Sequence, residues 1–251
     1  MSGHSKWSTI KRKKGAEDAK RGKLFTRLAR EITIAARHGS GNPDSNPTLR
    51  MAVDRARSAN MPKDNIERAI KKGTGELDGG AELEAITYEA FAPHGIPILI
   101  ECLTDNRNRT LADVRRVLNK LGGNMAEAGA VSWMFDTKGH IVIERTNQDP
   151  DELFMIAVEA GAQDVEINND SFEIYTAAAD LHAVATALAD AGVKASEASL
   201  SQIPKNEIEV GPKETVQVMG VIEALEELDD VQQVYSALAI SDAAIAELEA
   251  A

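Results

Sequence analysis

The chain has 251 residues, 43% of them hydrophobic and 27% charged, a composition that suits two or three folded domains and argues against disorder. Its net charge of −12 hides a division: residues 1–75 hold 18 Lys or Arg against 7 Asp or Glu, and the other 176 hold 10 against 33. A segment of one sign in a protein of the other points to a polyanion, met through the N-terminal region because the acidic remainder repels it.

The first fifteen residues read as a polar arm carrying Lys6, Lys11, Arg12, Lys13 and Lys14, with Trp7 as an aromatic able to stack on a base. No secretory apolar region is present there. A helix is predicted over 16–37. Leu24, Phe25, Leu28, Ile32, Ala35 and Ala36 recur at spacings of three and four and fall on one face, to be buried. Lys20, Lys23, Arg27, Arg30 and Arg37 fall on roughly the opposite face and predict an outward basic stripe; Arg21 adds to the charge. After the loop HGSGNPDSNP, Asn46 and Pro47 have the spacing of an N-cap and first helical residue. A third helix is predicted from Asp64, whose pairing with Glu67 fits a capping box. Lys71-Lys72-Gly73 closes it. These three helices form a domain of residues 1–75.

Beyond the linker GTGELDGGAELE the periodicity changes. AITYEAFA and IPILIECL, separated by Pro93-His94-Gly95, read as a β-hairpin. Cys102, the only cysteine, sits in that second apolar run; it excludes an internal disulfide and reads as a buried, unreactive thiol. TDNRNRT leads into an amphipathic helix, with Thr110 as the expected N-cap. It sets Arg107, Asn108 and Arg109 in a loop at a helix N-terminus, where backbone N–H groups and guanidinium forks favour phosphate. AVSWMF and HIVIE read as strands flanking Asp136-Thr137-Lys138-Gly139.

From HIVIE the order is β-α-β-β-α-β, a ferredoxin-like pattern, ending in VKASEASLSQI. The helix ETVQVMGVIEALEEL and the strand DVQQVYSALA follow; that strand is expected to return to the sheet begun at Ala85. The predicted fold class is therefore α+β multidomain: a three-helix domain followed by two α+β domains. One of these, residues 82–135 with 204–240, receives the other, the ferredoxin-like 136–203, as an insertion.

The combined segments GHSKW at 3–7, KRKKGAEDAKRGKLFTRLAREI, NPTLRMAVDRARSANMPKDNIERAIKKG and TDNRNRT at 104–110 resemble the YebC family, along essentially the whole chain. The resemblance implies a helical N-terminal domain and two α+β domains. It also implies a function without catalysis: bacterial members are described as probable DNA-binding transcriptional regulators. The mitochondrial relative is a translational activator of cytochrome c oxidase, and some bacterial members are reported to act on the ribosome. The expected partner is thus nucleic acid, duplex DNA or ribosomal RNA, with the ribosome as the alternative setting.

The residues agree with an absence of enzyme chemistry. His4, His38, His94, His140 and His182 are dispersed without metal-ligand spacing and read as surface or turn residues. No phosphate-binding glycine fingerprint or nucleophile elbow appears. The expectations are no catalytic residue, no metal, no small-molecule cofactor and no membrane partner, in a cytoplasmic protein. A different class remains open, a protein-interaction adaptor that binds a basic partner through its acidic domains.

Overall fold

Local capping signals set the first helices. In the computed structural model, which describes residues 17–77, 83–145, 148–168, 171–241 and 243–245, α1 spans Glu17–Arg37, α2 Pro47–Ser58 and α3 Lys63–Gly73. Asn46 accepts from the Leu49 amide at 3.1 Å, capping α2. Its side-chain amide donates at 2.8 Å to the Ala35 carbonyl in the last turns of α1 and to that of Ser40. One buried residue thus closes one helix and opens the next. The capping box expected at Asp64 does not form, because the helix already begins at Lys63 behind Pro62, which offers no side-chain cap. Asp64 instead faces the positive end of the helix dipole from the first turn.

The bundle has its own core of Leu28, Ile32, Ala35, Leu49, Val53, Ala56, Met61 and Ile66. Leu24, expected inside, is 43% exposed, while the adjacent Phe25 packs against that core. Gly73 is required by contact as well as by helix ending. A Cβ there would stand 2.4 Å from the Thr33 carbonyl oxygen and 2.7 Å from Ala36 Cβ, so α3 crosses α1 only over a glycine.

The described residues divide into two compact units, one running to Met134 and resuming at Pro204, the other Phe135–Ile203. In the first, β1 (Glu84–Ala92) and β2 (Ile96–Thr104) form an antiparallel hairpin with Phe91 opposite Pro97. Its sheet has the order β3-β1-β2-β9, with β3 at Asn124–Met125 and β9 at Val231–Ser236. Helices α4 (Arg107–Lys120) and α7 (Pro212–Glu226) belong to the same core, where Ile96, Ile98, Ile100, Val114, Leu118, Val218, Val221 and Leu225 are fully buried. Each such side chain contributes about 1.5–3 kcal/mol. A two-strand parallel pair, β8 (Ile208–Glu209) with β10 (Leu238–Ala239), has no signal in its two-residue segments.

The second unit is a sheet of order β5-β6-β4-β7, from β4 (Phe135–Glu144), β5 (Asp164–Ile167), β6 (Ser171–Ala177) and β7 (Glu197–Pro204), with α5 (Pro150–Glu159) and α6 (Leu181–Asp190). Sequence reasoning expects a break at Asp136–Gly139; the structure has one continuous strand there. Lys138 pairs with Ala177 and Gly139 with Thr176, so tertiary pairing overrides the turn signal. Gly139 serves close approach: a Cβ would lie 2.1 Å from Thr176 Oγ1 and 2.8 Å from Leu181 Cβ. Residues 131–134 are not a strand either; Ser132–Met134 is a 3-10 turn.

Candidate nucleic-acid interface

The basic face of α1 does not simply look outward. Lys23 Nζ donates to the Glu227 carbonyl at 3.2 Å, Arg27 to the Glu226 carbonyl, and Arg30 to the Asp229 carbonyl. The Glu226 carbonyl ends α7, where helical C=O groups lack intrahelical partners and the dipole is negative, and those of Glu227 and Asp229 follow in the turn to β9. Residues spaced four and three apart on α1 therefore cap another helix from the side. Burial lowers the pKa of the Arg27 guanidinium, against the opposing pull of Glu226 and Asp229. The expected outward stripe is corrected at these three positions: its charges are spent on joining the bundle to the α7–β9 turn.

Asp230 is the centre of that junction. It is nearly buried and takes Arg30 at 3.2 Å, Arg109 at 2.8 Å, Thr110 Oγ1 at 2.8 Å and Thr104 Oγ1 at 3.2 Å. Burial alone would raise its pKa. The hydrogen bonds from Arg109 and Thr110, with the charges of Arg109 and Arg30, outweigh that and hold the carboxyl below the ordinary range. Arg109 in turn has its pKa raised by its hydrogen bonds to Asp230 and Asp105.

Around it, the TDNRNRT segment is helical sooner than expected. Asn106, not Thr110, is the N-cap of α4, accepting from the Arg109 amide at 3.1 Å. Thr110 is buried in the first turn, bound to Thr104 and Asp230. Arg107, Asn108 and Arg109 accordingly occupy the first turn itself. Cations there oppose the helix dipole, a cost offset by Asp105 and Asp230 on Arg109, and weakly by Glu84 at 3.8 Å from Arg107. Arg107 and Asn108 are exposed, so the turn presents positive charge next to helical amides.

The other expected contact residues fall as follows. Lys6, Trp7, Lys11, Arg12, Lys13 and Lys14 lie outside the described residues, as does His4; Lys20 and Arg21 lie near the start of α1. Sequence reasoning missed Asp230. Its signal was the acidic run Glu226-Glu227-Leu228-Asp229-Asp230 at the end of a helix, opposite in sign to α1.

Elsewhere, the Cys102 thiol is buried and its pKa is pushed up to about 12 by burial, with Asp230 and Glu101 adding to the effect. His140 corrects the expectation of a surface histidine. It is buried, with Nε2 3.0 Å from Glu173 Oε2 and its ring stacked on Tyr175. Among the described residues no cluster of His, Cys, Asp and Glu could hold a metal, and no helix is long and apolar enough to cross a membrane.

Comparison with known proteins covers nearly the whole chain. Residues 5–76 match the model of the TACO1/YebC protein N-terminal domain, and 83–238 that of the TACO1/YebC second and third domain. A relative from Desulfatibacillum aliphaticivorans, named probable transcriptional regulatory protein, is 52% identical over 98% of this chain and 100% of its own length. One of the same name from Acidithiobacillus ferrooxidans is 53% identical over 100% of this chain and 99% of its own. The crystal structure of a conserved hypothetical protein, Aq1575, from Aquifex aeolicus superposes with a TM-score of 0.84 at 43% identity, covering 90% of this chain and 93% of that one.

Proposed function

The chain belongs to the TACO1/YebC family, and we propose that it is a non-enzymatic regulator of gene expression that binds nucleic acid through its basic N-terminal region. The observation that carries this reading is the charge division, 18 basic against 7 acidic residues in the first 75 and 10 against 33 in the rest. Lys and Arg without base-reading geometry contact phosphates and position the protein. Lys11 through Lys14 supply the densest such cluster, and Arg107 and Asn108 on α4 offer a second point. The names of the relatives from Desulfatibacillum and Acidithiobacillus support a role in transcription; duplex DNA is the target in this reading.

One observation favours a second reading, structured RNA on the ribosome. Laying α1 in a groove would call on Lys23, Arg27 and Arg30, which are engaged at the end of α7. The remaining positive charge is concentrated ahead of α1, where it suits phosphates along an RNA backbone.

Competition between duplex DNA and purified ribosomes for labelled protein at physiological salt separates the two. Retention on ribosomes, with only weak and sequence-blind DNA binding, sinks the transcriptional reading; sequence-selective retention on DNA sinks the ribosomal one. Neutralising Lys11 through Lys14 is expected to abolish retention in either case. If about six phosphates are contacted on duplex DNA, log K falls against log salt with a slope of roughly −5. Unchanged retention in the neutralised protein would favour the adaptor class instead.

A further inference from the structure

Trp133 is one of two tryptophans in the chain and is 63% exposed. Burying an indole is among the most favourable choices open to a fold, so one held out in water invites a reason. Its surroundings are built, not loose. Glu89 of β1 points its carboxylate into the segment that follows β3 and accepts from the amides of Gly129 at 2.7 Å, Ser132 at 2.9 Å and Val131. The Glu89 carbonyl accepts from the Ala126 amide at 2.8 Å, and Val131 is fully buried beneath. The indole N–H donates to the Ala130 carbonyl at 3.0 Å. The ring's one polar group is thus already satisfied within the loop, and what it offers outward is π surface. Lys205 Nζ donates to the Trp133 carbonyl at 2.8 Å, which puts a cation beside the same residue.

We propose that Trp133 is a stacking platform for an unpaired nucleobase of a single-stranded nucleic acid. The proposal rests on the nucleic-acid reading above and adds to it a contact remote in sequence from the basic N-terminus. A ring with no donor left to spend recognises any base by its face and selects for unpaired over paired bases. A pinned loop loses little conformational freedom on binding, so the stacking energy is not consumed in ordering the platform. A protein ligand of this surface would not discriminate single from double strands, so strand dependence is the property that identifies a base.

Trp7→Phe leaves Trp133 as the sole tryptophan and serves as the parent protein. Its fluorescence, titrated with a uridine homopolymer, a thymidine homopolymer and a duplex DNA, is expected to be quenched by the single strands and not by the duplex. Quenching by uridine alone identifies RNA as the source; equal quenching by both identifies any single strand. Because the double variants contain no tryptophan, their binding is read by filter retention of labelled homopolymer: adding Trp133→Ala is expected to weaken it roughly tenfold or more, and adding Trp133→Phe to retain most of the affinity. Unaltered homopolymer affinity in the Trp133→Ala protein, or equal quenching by the duplex, overturns the platform and leaves the nucleic-acid reading standing. Absence of binding to every nucleic acid by the wild-type protein, with Trp7 intact, overturns both.

Discussion

Asp230 and Glu89 are both carboxylates held below their ordinary pKa range in the same unit, yet they are held by opposite means. Asp230 collects charged and hydroxyl side chains from three places distant in sequence: Arg30 on α1, Thr104 at the end of β2, and Arg109 and Thr110 on α4. Glu89 accepts from the backbone of a single short loop. For Glu89, too, burial pushes the pKa up and the amides of Gly129, Val131 and Ser132 outweigh it. The first carboxylate fastens elements to one another, and the second only shapes the segment it touches. The difference teaches that the direction of a pKa displacement says little about how far its consequences travel. What matters is whether the partners belong to one local segment or to several.

That contrast can be broken in three ways. The largest effect is expected from Asp230→Ala, which takes one partner from each of two arginines and two buried hydroxyls. A loss of about 3 kcal/mol in urea unfolding is expected, smaller at high salt because Arg109 is half exposed. Glu89→Ala is expected to cost less, about 1–2 kcal/mol. Its signature is local: faster hydrogen exchange at the amides of Gly129, Val131 and Ser132, with α1 and α4 unaffected. If Glu89→Ala instead loosens α1, the two carboxylates are not independent. The smallest effect is in pH dependence. Both carboxyl groups have folded pKa values below their unfolded ones, so their contributions are complete above the ordinary carboxylate range, about pH 4. They fade as pH falls through the lower folded values. Between pH 7 and pH 3 the wild type should therefore lose more stability than the Asp230→Asn, Glu89→Gln double variant, read as the shift in urea midpoint.

Features specified by near neighbours were legible in the sequence. Asn46 and Pro47 announce α2 because cap and first turn lie within three residues, and the apolar run around Cys102 announces a buried strand. Legibility failed where distant partners decide. Two capping residues compete in TDNRNRT, and Asn106 wins because Thr110 is drawn inward by Asp230, 120 residues away. Lys23, Arg27 and Arg30 look solvated along one helix, and nothing within that helix shows that its charges answer the open carbonyls of another. Asp136–Gly139 has turn composition, but pairing with β6 carries the strand straight through it. In the candidate interface, the positive charge at the start of α4 was visible from its arginines, although they were read as a loop and form the first turn. The fastening role of Asp230 was not, because an acidic helix end in an acidic protein has no local mark of its partners.

The pairing of β2 with β9 has a consequence in time. Ile98 is opposite Ser236 and Ile100 opposite Val234, so the almost wholly buried strand Ile96–Thr104 lacks one neighbour until Val231–Ser236 emerges. At synthesis rates of about 5–20 residues per second, that interval is on the order of ten seconds. During it, β4 through β7 can be completed, while an apolar strand edge, the basic face of α1 and the two arginines awaiting Asp230 all stand without their partners. A nascent chain arrested before Asp230 should therefore be the form most in need of a chaperone, and emergence of Asp230 with Val231–Ser236 closes sheet and junction in one event.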